Sequence, residues 1–488
     1  MIHPKIIHRI LGILLLIEAG ILLICSLFPI LLGENDLFGF IMGSLTTAAS
    51  GLIFLLIGHK ANRKESGMTR RDGYIVVASS WLLFSVFGSL PYLISGYISD
   101  FTDAFFETIS GFTTTGATII KDVEILPHGL LFWRSLTQWI GGLGIVFFTV
   151  VVLPIFGVGE TQLFAAETIG GPKRGKLHPR IGISGRWILT VYLIITVFCT
   201  IALNLCGMGL FDSVNHALCT AATGGFSTKN ASIAYFNSHS IEYVITFFMF
   251  VSGINYGLLF FVALKGKIQK LKEDTEFNWY VFIILLFTSI VSISLFISTP
   301  YDAADSFRNA LFHVTAIITT TGFTTTDYTL WPPFIWMIIG LCMYLGACAG
   351  STSGGMKTIR LAILIKSMRN EFHRILHPNA IIPVRISGKV IPQSTRQSVL
   401  TFSLFFLALV FFGWFFYLAI GIDITDAYGT SLSCLSNIGL TIGNHGCNIP
   451  WDNMPVLGKW FSVFLMIVGR LEVFAVLLLF TPSFWKHR

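Results

Sequence analysis

Four segments of this 488-residue chain end in the same way. They read DAFFETISGFTTTG (Asp103–Gly116), DSVNHALCTAATGG (Asp212–Gly225), NALFHVTAIITTTG (Asn309–Gly322) and DAYGTSLSCLSNIG (Asp426–Gly439). Each starts at Asp or Asn and reaches Gly thirteen positions later. The chemistry these residues offer is neutral oxygen. Thr and Ser supply hydroxyls, and Gly can adopt dihedrals that present backbone carbonyls in directions closed to other residues. A ring of carbonyls can replace the hydration shell of a cation. The tips TTTG, ATGG, TTTG and SNIG carry no carboxylate. Hard divalent ions recruit Asp or Glu, so this donor set suits a large monovalent cation. The candidate ligands are Thr114, Thr115 and Gly116; Thr223, Gly224 and Gly225; Thr320, Thr321 and Gly322; and Asn437, Ile438 and Gly439. One such tip would be an ordinary loop rich in small residues. Four copies in phase point to one selectivity filter.

The elements that must hold these tips are legible from composition. The chain is 54% hydrophobic and 12% charged, where a soluble domain carries about a quarter charged residues. Ten apolar runs stand out, at roughly 7–32, 37–58, 73–97, 130–156, 186–208, 241–264, 278–299, 334–364 (interrupted), 397–421 and 456–481. Their length matches a bilayer core. The four segments fall between the third and fourth, fifth and sixth, seventh and eighth, and ninth and tenth runs. Asp103, Asp212, Asn309 and Asp426 are suitable helix N-caps. Ten residues of helix, about 15 Å, would reach half-way across. Each helix would enter from outside, its partially negative end pointing inward. Non-helical backbone at that depth survives only inside protein or around a watery cavity.

Lys and Arg set the orientation. With ten crossings and a cytoplasmic N-terminus, the inner side receives Lys5, Arg9, Lys60, Arg63, Lys64, Arg70 and Arg71. It also receives Lys173, Arg174, Lys176, Arg180, Arg186, Lys265, Lys267, Lys270, Lys272, the set from Lys357 to Arg396, and Lys486 and Arg488. The outer side receives only Lys121, Arg134, Lys229, Arg308 and Lys459. This asymmetry puts both termini in the cytoplasm. It also accounts for the net charge of +7 as a topology signal, with no call for a nucleic-acid partner. The first run is long for a signal peptide and reads as part of an uncleaved hairpin. The eight cysteines are scattered without a CxxC pair, so neither a disulfide framework nor a metal cluster is expected. His445 and Cys447 read as loop residues.

Two irregularities sit in the apolar runs. GACAGSTSGGMK (Gly346–Lys357) breaks the eighth, because small residues and glycines hold a helix poorly. Arg470 lies inside the tenth, where a charge costs roughly 2.5–3.5 kcal/mol and must face protein or water. On the pore axis it would repel a cation; alternatively it ties backbone carbonyls of a neighbouring segment. Glu472 lies on another face of the helix and is not an obvious partner. Glu107 could brace the filter by hydrogen bonds, and Glu18 also lies in apolar surroundings. His373 and His377 read as solvated. GGPKRGKL (Gly170–Leu177) fits part of a phosphate loop but lacks the Ser or Thr and the strand–loop–helix setting, so it is a chance match. No hydrolase motif or convergent acid, base and nucleophile set lies in the runs. The chain does not read as an enzyme.

The motifs SGFTTTGAT (Ser110–Thr118), ATGGFST (Ala222–Thr228), TTTGFTTTD (Thr319–Asp327), SNIGLT (Ser436–Thr441), GSTSGGMKT (Gly350–Thr358) and VGRLEVF (Val468–Phe474) carry a resemblance over nearly the whole chain. It resembles the Trk/Ktr/HKT superfamily of potassium transporters, closest to the bacterial TrkH/TrkG type. The extra N-terminal hairpin points to the Trk branch. The implied architecture is an all-α membrane protein with ten transmembrane helices. Residues 1–72 would form the hairpin. Four helix–pore helix–helix repeats (73–157, 158–277, 278–395 with a broken second helix, and 396–488) would surround one pore. The resemblance implies potassium as the transported ion, with no organic cofactor, and uptake across the bacterial inner membrane. Gly at all four filter positions favours potassium, since Ser at the first is associated with sodium permeation. The resemblance further implies a cytoplasmic-side gate formed by Gly346, Gly350, Ser351, Thr352, Ser353, Gly354, Gly355 and Lys357, with Arg470 as a constriction. A homodimer in lipid and a TrkA-type nucleotide-binding regulatory subunit on the basic inner loops are also implied. The rival reading is a proton- or sodium-coupled secondary transporter, since such folds also show repeats and broken helices.

Overall fold

The computed structural model describes residues 2–59, 69–147, 181–263, 265–377, 379, 382–443 and 451–485. The GGPKRGKL stretch, His445, Cys447, the end of the fourth run and parts of the basic inner loops lie outside the described residues.

The apolar runs form helices wherever no glycine-rich or polar stretch interrupts them. Among the described residues, six are long and apolar enough to cross a membrane: Pro4–Leu32, Leu37–Gly58, Arg71–Ile94, Arg186–Leu205, Thr275–Ser298 and Gln393–Ala419. His128–Phe147 forms a further long helix. The eighth run is broken as expected. Pro333–Tyr344 stops at the glycine-rich stretch, and Thr358–Leu376 resumes after it. Two breaks depart from the expectation of continuous helices. The sixth run bends by 107° between His239–Ser252 and Tyr256–Ala263, and the tenth by 108° between Val456–Arg470 and Glu472–Phe480.

The sixth run can break because its freed backbone groups find partners in the eighth. The carbonyl of Gly253 accepts from the Cys348 N–H at 3.0 Å, and the Tyr256 N–H donates to Gly350 O at 3.1 Å. The Asn255 side-chain amide donates to Ala349 O. Backbone polar groups at membrane depth must be paired within the protein, and the two broken runs pair each other.

The four short segments are helices, Phe101–Phe112, Leu210–Ala222, Ala303–Ile318 and Ile424–Ser436, buried over most of their length. Their starts correct the capping expectation. The N-cap residues are Asp100, Gly209, Asp302 and Asp423. Asp100 Oδ1 accepts from the Asp103 N–H at 3.1 Å, and Asp302 Oδ1 from the Asp305 N–H at 2.7 Å. Asp103, Asp212 and Asp426 instead lie in the first turn, where a carboxylate still complements the positive end of the dipole. Asn309 lies inside its helix. Asp103 has a further role, accepting from Lys459 Nζ at 2.6 Å and so tying the first short helix to the last span.

The N-terminal hairpin is zipped by small residues. A Cβ added to Gly12 would lie 2.7 Å from Gly51 O, and one on Gly58 2.8 Å from Arg9 N. Such close backbone approach is how helices associate in lipid without a hydrophobic driving force. Gly12→Leu is therefore expected to lower the thermal midpoint of the purified protein in detergent, by the equivalent of about 1–3 kcal/mol for overpacking. Gly20→Leu, on a face with nothing within 4 Å, is expected to leave the midpoint unchanged. Equal midpoints for the two variants would show that the seam does not hold the hairpin.

Candidate ion pathway

The C-terminal ends of the four short helices share one backbone geometry. Thr114, Thr223, Thr320 and Asn437 have φ of 52°, 54°, 56° and 57°. Two residues later Gly116, Gly225, Gly322 and Gly439 have φ of 81°, 82°, 76° and 84°. Between them, Thr115 N–H donates to Ser110 O, Gly224 N–H to Cys219 O, Thr321 N–H to Ala316 O and Ile438 N–H to Ser433 O, at 2.9, 2.9, 2.8 and 3.1 Å. This six-residue closure is the Schellman end of a helix, whose left-handed position normally takes Gly or Asn. Three of the four copies place a β-branched Thr there, an outlier for that residue type. Strain of this kind costs on the order of 1–3 kcal/mol per site and persists only where the surroundings over-determine it.

The four ends meet in a closed ring. A Cβ on Gly116 would lie 2.1 Å from Gly224 O, on Gly225 2.0 Å from Thr321 O, on Gly322 2.1 Å from Ile438 O, and on Gly439 2.4 Å from Thr115 O. Each repeat's glycine thus abuts a carbonyl of the next, and the fourth returns to the first. In every tip the two residues before the glycine are buried, while the glycine is half-buried. The glycines are therefore where the ring meets open space.

Side chains hold the ring, and one of them, Gln138, sequence reasoning did not single out. Gln138 Nε2 donates to Gly224 O at 2.6 Å, and its Oε1 accepts from the Phe226 N–H at 3.1 Å. Asn437 Nδ2 donates to Thr115 Oγ1 at 3.0 Å and to Met466 O at 2.9 Å. The hydroxyls of Thr113 and Thr115, and of Thr319 and Thr321, pair at 2.8 Å. Gln138 carried no signal in the sequence, because a lone amide in an apolar run has no motif.

The fifth position of each segment matters as well. It holds Glu107, His216, His313 and Thr430, all buried. Glu107 accepts from the Ile119 N–H and the Thr118 hydroxyl at 3.0 Å, bracing the chain just beyond its own tip. His216 does the same for its repeat. Its Nδ1–H donates to Asp212 O at 2.8 Å, and its Nε2 pairs with Ser227 Oγ at 2.9 Å. Arg134 Nε reaches Glu107 at 2.8 Å, its Nη1 reaches Ser227 O at 3.0 Å, and its guanidinium lies 3.9 Å from the centre of the Phe226 ring. One buried cation thereby couples the first repeat to the second.

The glycine-rich break lies against the ring. Leu345–Gly346 pairs in parallel with Met356–Lys357, and Thr358 Oγ1 donates to Gly346 O at 2.8 Å, so the stretch between is a closed loop. The Thr352 hydroxyl donates to Ala221 O at 3.1 Å and accepts from Thr223 Oγ1 at 3.2 Å. The Gly354 N–H donates to Thr320 Oγ1 at 2.7 Å, and a Cβ on Gly354 would lie 2.3 Å from Ser436 O. The loop thus touches the ends of the second, third and fourth short helices. Gly350 (φ 77°) and Gly355 (φ 63°) supply its turns. Ser351 Oγ donates to Cys348 O at 2.6 Å and pairs with Ser353 Oγ at 3.0 Å. Lys357 Nζ donates to the carbonyl and hydroxyl of Ser353.

Arg470 sits at the bend of the last span. Its Nη1 donates to Thr352 O at 2.7 Å and its Nη2 to Gly141 O at 2.8 Å. Of the two roles weighed for it, carbonyl tying is the one its hydrogen bonds display. Arg470 also lines, with Lys357, Tyr192, Tyr256 and Phe402, a cavity of about 180 Å³ against the loop. Glu472 has a partner after all, Arg360 Nη2 at 2.6 Å. Helical spacing could not reveal it, because the partner comes from another run.

Residues 45–487 match the profile of the TrkH family, described as cation transport proteins. The chain is 35% identical to the Trk system potassium uptake protein TrkH of Salmonella typhimurium, covering 99% of this chain and 100% of that protein. It is 33% identical to the Trk system potassium uptake protein TrkG of Escherichia coli, over 99% of each. The crystal structure of the potassium transporter TrkH from Vibrio parahaemolyticus superposes with a TM-score of 0.88 at 32% identity, over 99% of both chains.

Removing one partner of the buried Glu107–Arg134 pair leaves an uncompensated charge, which costs about 3–5 kcal/mol. Arg134→Met is expected to lower the thermal midpoint sharply, and Glu107→Gln combined with Arg134→Met to recover part of the loss. A double variant no more stable than the single would show that the pair does not brace this corner.

Proposed function

The chain belongs to the TrkH family of cation transport proteins, and from that premise we propose that it takes up potassium across the bacterial inner membrane through the ring of four tips. The observation that carries the reading is the closed circuit of glycine against carbonyl through all four repeats. Neutral oxygens of Thr114, Thr115, Gly116, Thr223, Gly224, Gly225, Thr320, Thr321, Gly322, Asn437, Ile438 and Gly439 replace the water of a dehydrated ion there. The half-buried glycines are where the ion passes.

Ten crossings place both termini in the cytoplasm, with a hairpin (1–72) followed by four pore repeats. Of the five basic residues then expected outside, four are matched by acids and Lys229 lies over the Tyr235 ring, 4.5 Å from its centre. Lys121, Arg134, Arg308 and Lys459 each pair with an acid, Asp452, Glu107, Asp305 and Asp103 respectively. An incoming cation meets an outer face on which four of these five positive charges are matched. On the inner side, the loop Gly346–Lys357 and Arg470 close the path. A guanidinium there repels a cation, and the loop's hydrogen bonds to the undersides of the second and third tips, with its close packing under the fourth, hold it in the way. The many exposed apolar residues of the long helices meet lipid or a second copy of the chain, and a TrkA-type regulatory subunit docks on the basic inner loops.

Potassium uptake in a deficient host tests the assignment. Gly116→Ser puts a Cβ 2.1 Å from Gly224 O at a φ of 81°, so the ring must widen. Selectivity for potassium over sodium is expected to fall by about tenfold or more, equivalent to roughly 1.4 kcal/mol. Arg470→Ala is expected to raise flux with selectivity kept. Both variants matching the wild type would remove the site assignment.

A further inference from the structure

We infer that the buried Arg360–Glu472 ion pair is a latch that holds the loop Gly346–Lys357 in its closed position by fastening the loop's exit to the bend of the last span. The inference rests on the gating role proposed above and adds two positioning residues to it.

The loop leaves into the helix Thr358–Leu376, whose first turn carries Arg360. The Arg360 side chain is 3% exposed and Glu472 19%. The guanidinium lies 3.8 Å from the centre of the Phe402 ring and donates to Glu472 Oε2 at 2.6 Å. Its Nε has no hydrogen-bond partner among the described residues. A buried cation so placed depends heavily on its carboxylate, because breaking such a pair strands a charge.

The bend supplies the second half of the case. Arg470 and Glu472 stand on either side of Leu471, where the last span turns by 108°. Arg470 grips the middle of the loop at Thr352 O, and Glu472 grips its exit at Arg360. The same backbone kink therefore fastens the loop twice. Glu472 has φ of +56°, a conformation that a glutamate adopts only under constraint. Straightening the bend relieves that strain and withdraws both grips together. The pair also lines the cavity against the loop, so it lies where the loop must move to open the path. A contact that differs between two positions of an element biases their equilibrium.

Rubidium flux into proteoliposomes containing the purified chain tests the latch. The variants are Glu472→Gln, Glu472→Asn (which tolerates the left-handed backbone and loses the pair), Arg360→Gln, and the exchange Arg360→Glu with Glu472→Arg. Each single variant is expected to raise flux about fivefold or more, the lower end of the coupling such elements carry, with the potassium-to-sodium ratio unchanged. The exchange is expected to bring flux back toward the wild type. Folded single variants with flux at or below the wild type overturn the latch, as does an exchange that leaves the flux raised. If no single variant folds while the exchange folds with wild-type flux, the pair is merely structural and the latch is again overturned. Arg470→Ala in the same vesicles separates the two levels. Raised flux there without raised flux in the Glu472 variants sinks the latch alone, whereas unchanged flux in all of them sinks the gate as well.

Discussion

The approach of each ring glycine to a carbonyl of the next repeat is the contact on which the rest of the structure depends. It leaves no room for a side chain at four positions, and it is circular, so none of the four tips can relax alone. Each tip also ends its helix through a left-handed Thr or Asn, which a free helix end would not choose three times over. The favourable energy that holds those residues in place comes from around the ring. The short helices are sealed in the core, their ends are closed by six-residue hydrogen bonds, and polar side chains stand behind them.

Those supports differ from repeat to repeat although the backbone does not. The first tip is braced by a carboxylate, Glu107, which brings with it the cation Arg134. The second uses a histidine, His216, and Gln138. The fourth uses Asn437, whose amide bridges Thr115 of the first repeat and Met466 of the last span. The cost of a buried polar group is met each time by a different partner, as it must be when partners are fixed by packing. Four-fold geometry is thus built from an asymmetric set of bonds. A substitution in one quarter has no reason to behave like its counterpart in another.

The repeat, the helical character of the apolar runs and the positions of the four glycines were legible because they rest on local chemistry: apolar length and a residue type that the backbone geometry demands. The helix starts were read less well. Asp and Asn cap helices, but they also serve in the first turn, and Asp103 is fixed there by Lys459, a residue 356 positions away. Gln138, the role of Arg134 and the Arg360–Glu472 pair were illegible for the same reason. Their partners lie in other repeats, and no spacing within one run encodes a contact between runs. The motifs around the ring made the fold readable, while the bonds that brace it exist only between segments that folding brings together.

The bends of the sixth and tenth runs escaped the hydropathy reading, since in each case the helices before and after the bend together are apolar enough to read as one span. What permits them is mutual. A helix that breaks in the bilayer must give its freed N–H and C=O groups new partners. The sixth run gives them to the loop of the eighth, through Gly253 with Cys348 and Tyr256 with Gly350. The tenth run gives the same loop a guanidinium at Thr352 O. The loop in turn presents Thr352 and Gly354 to the tips above it. Three interrupted helices therefore form one hydrogen-bonded unit under the ring. The irregular backbone that the four tips need on one side is matched by irregular backbone on the other, and the groups left open by each are closed by the side chains and carbonyls of its neighbour.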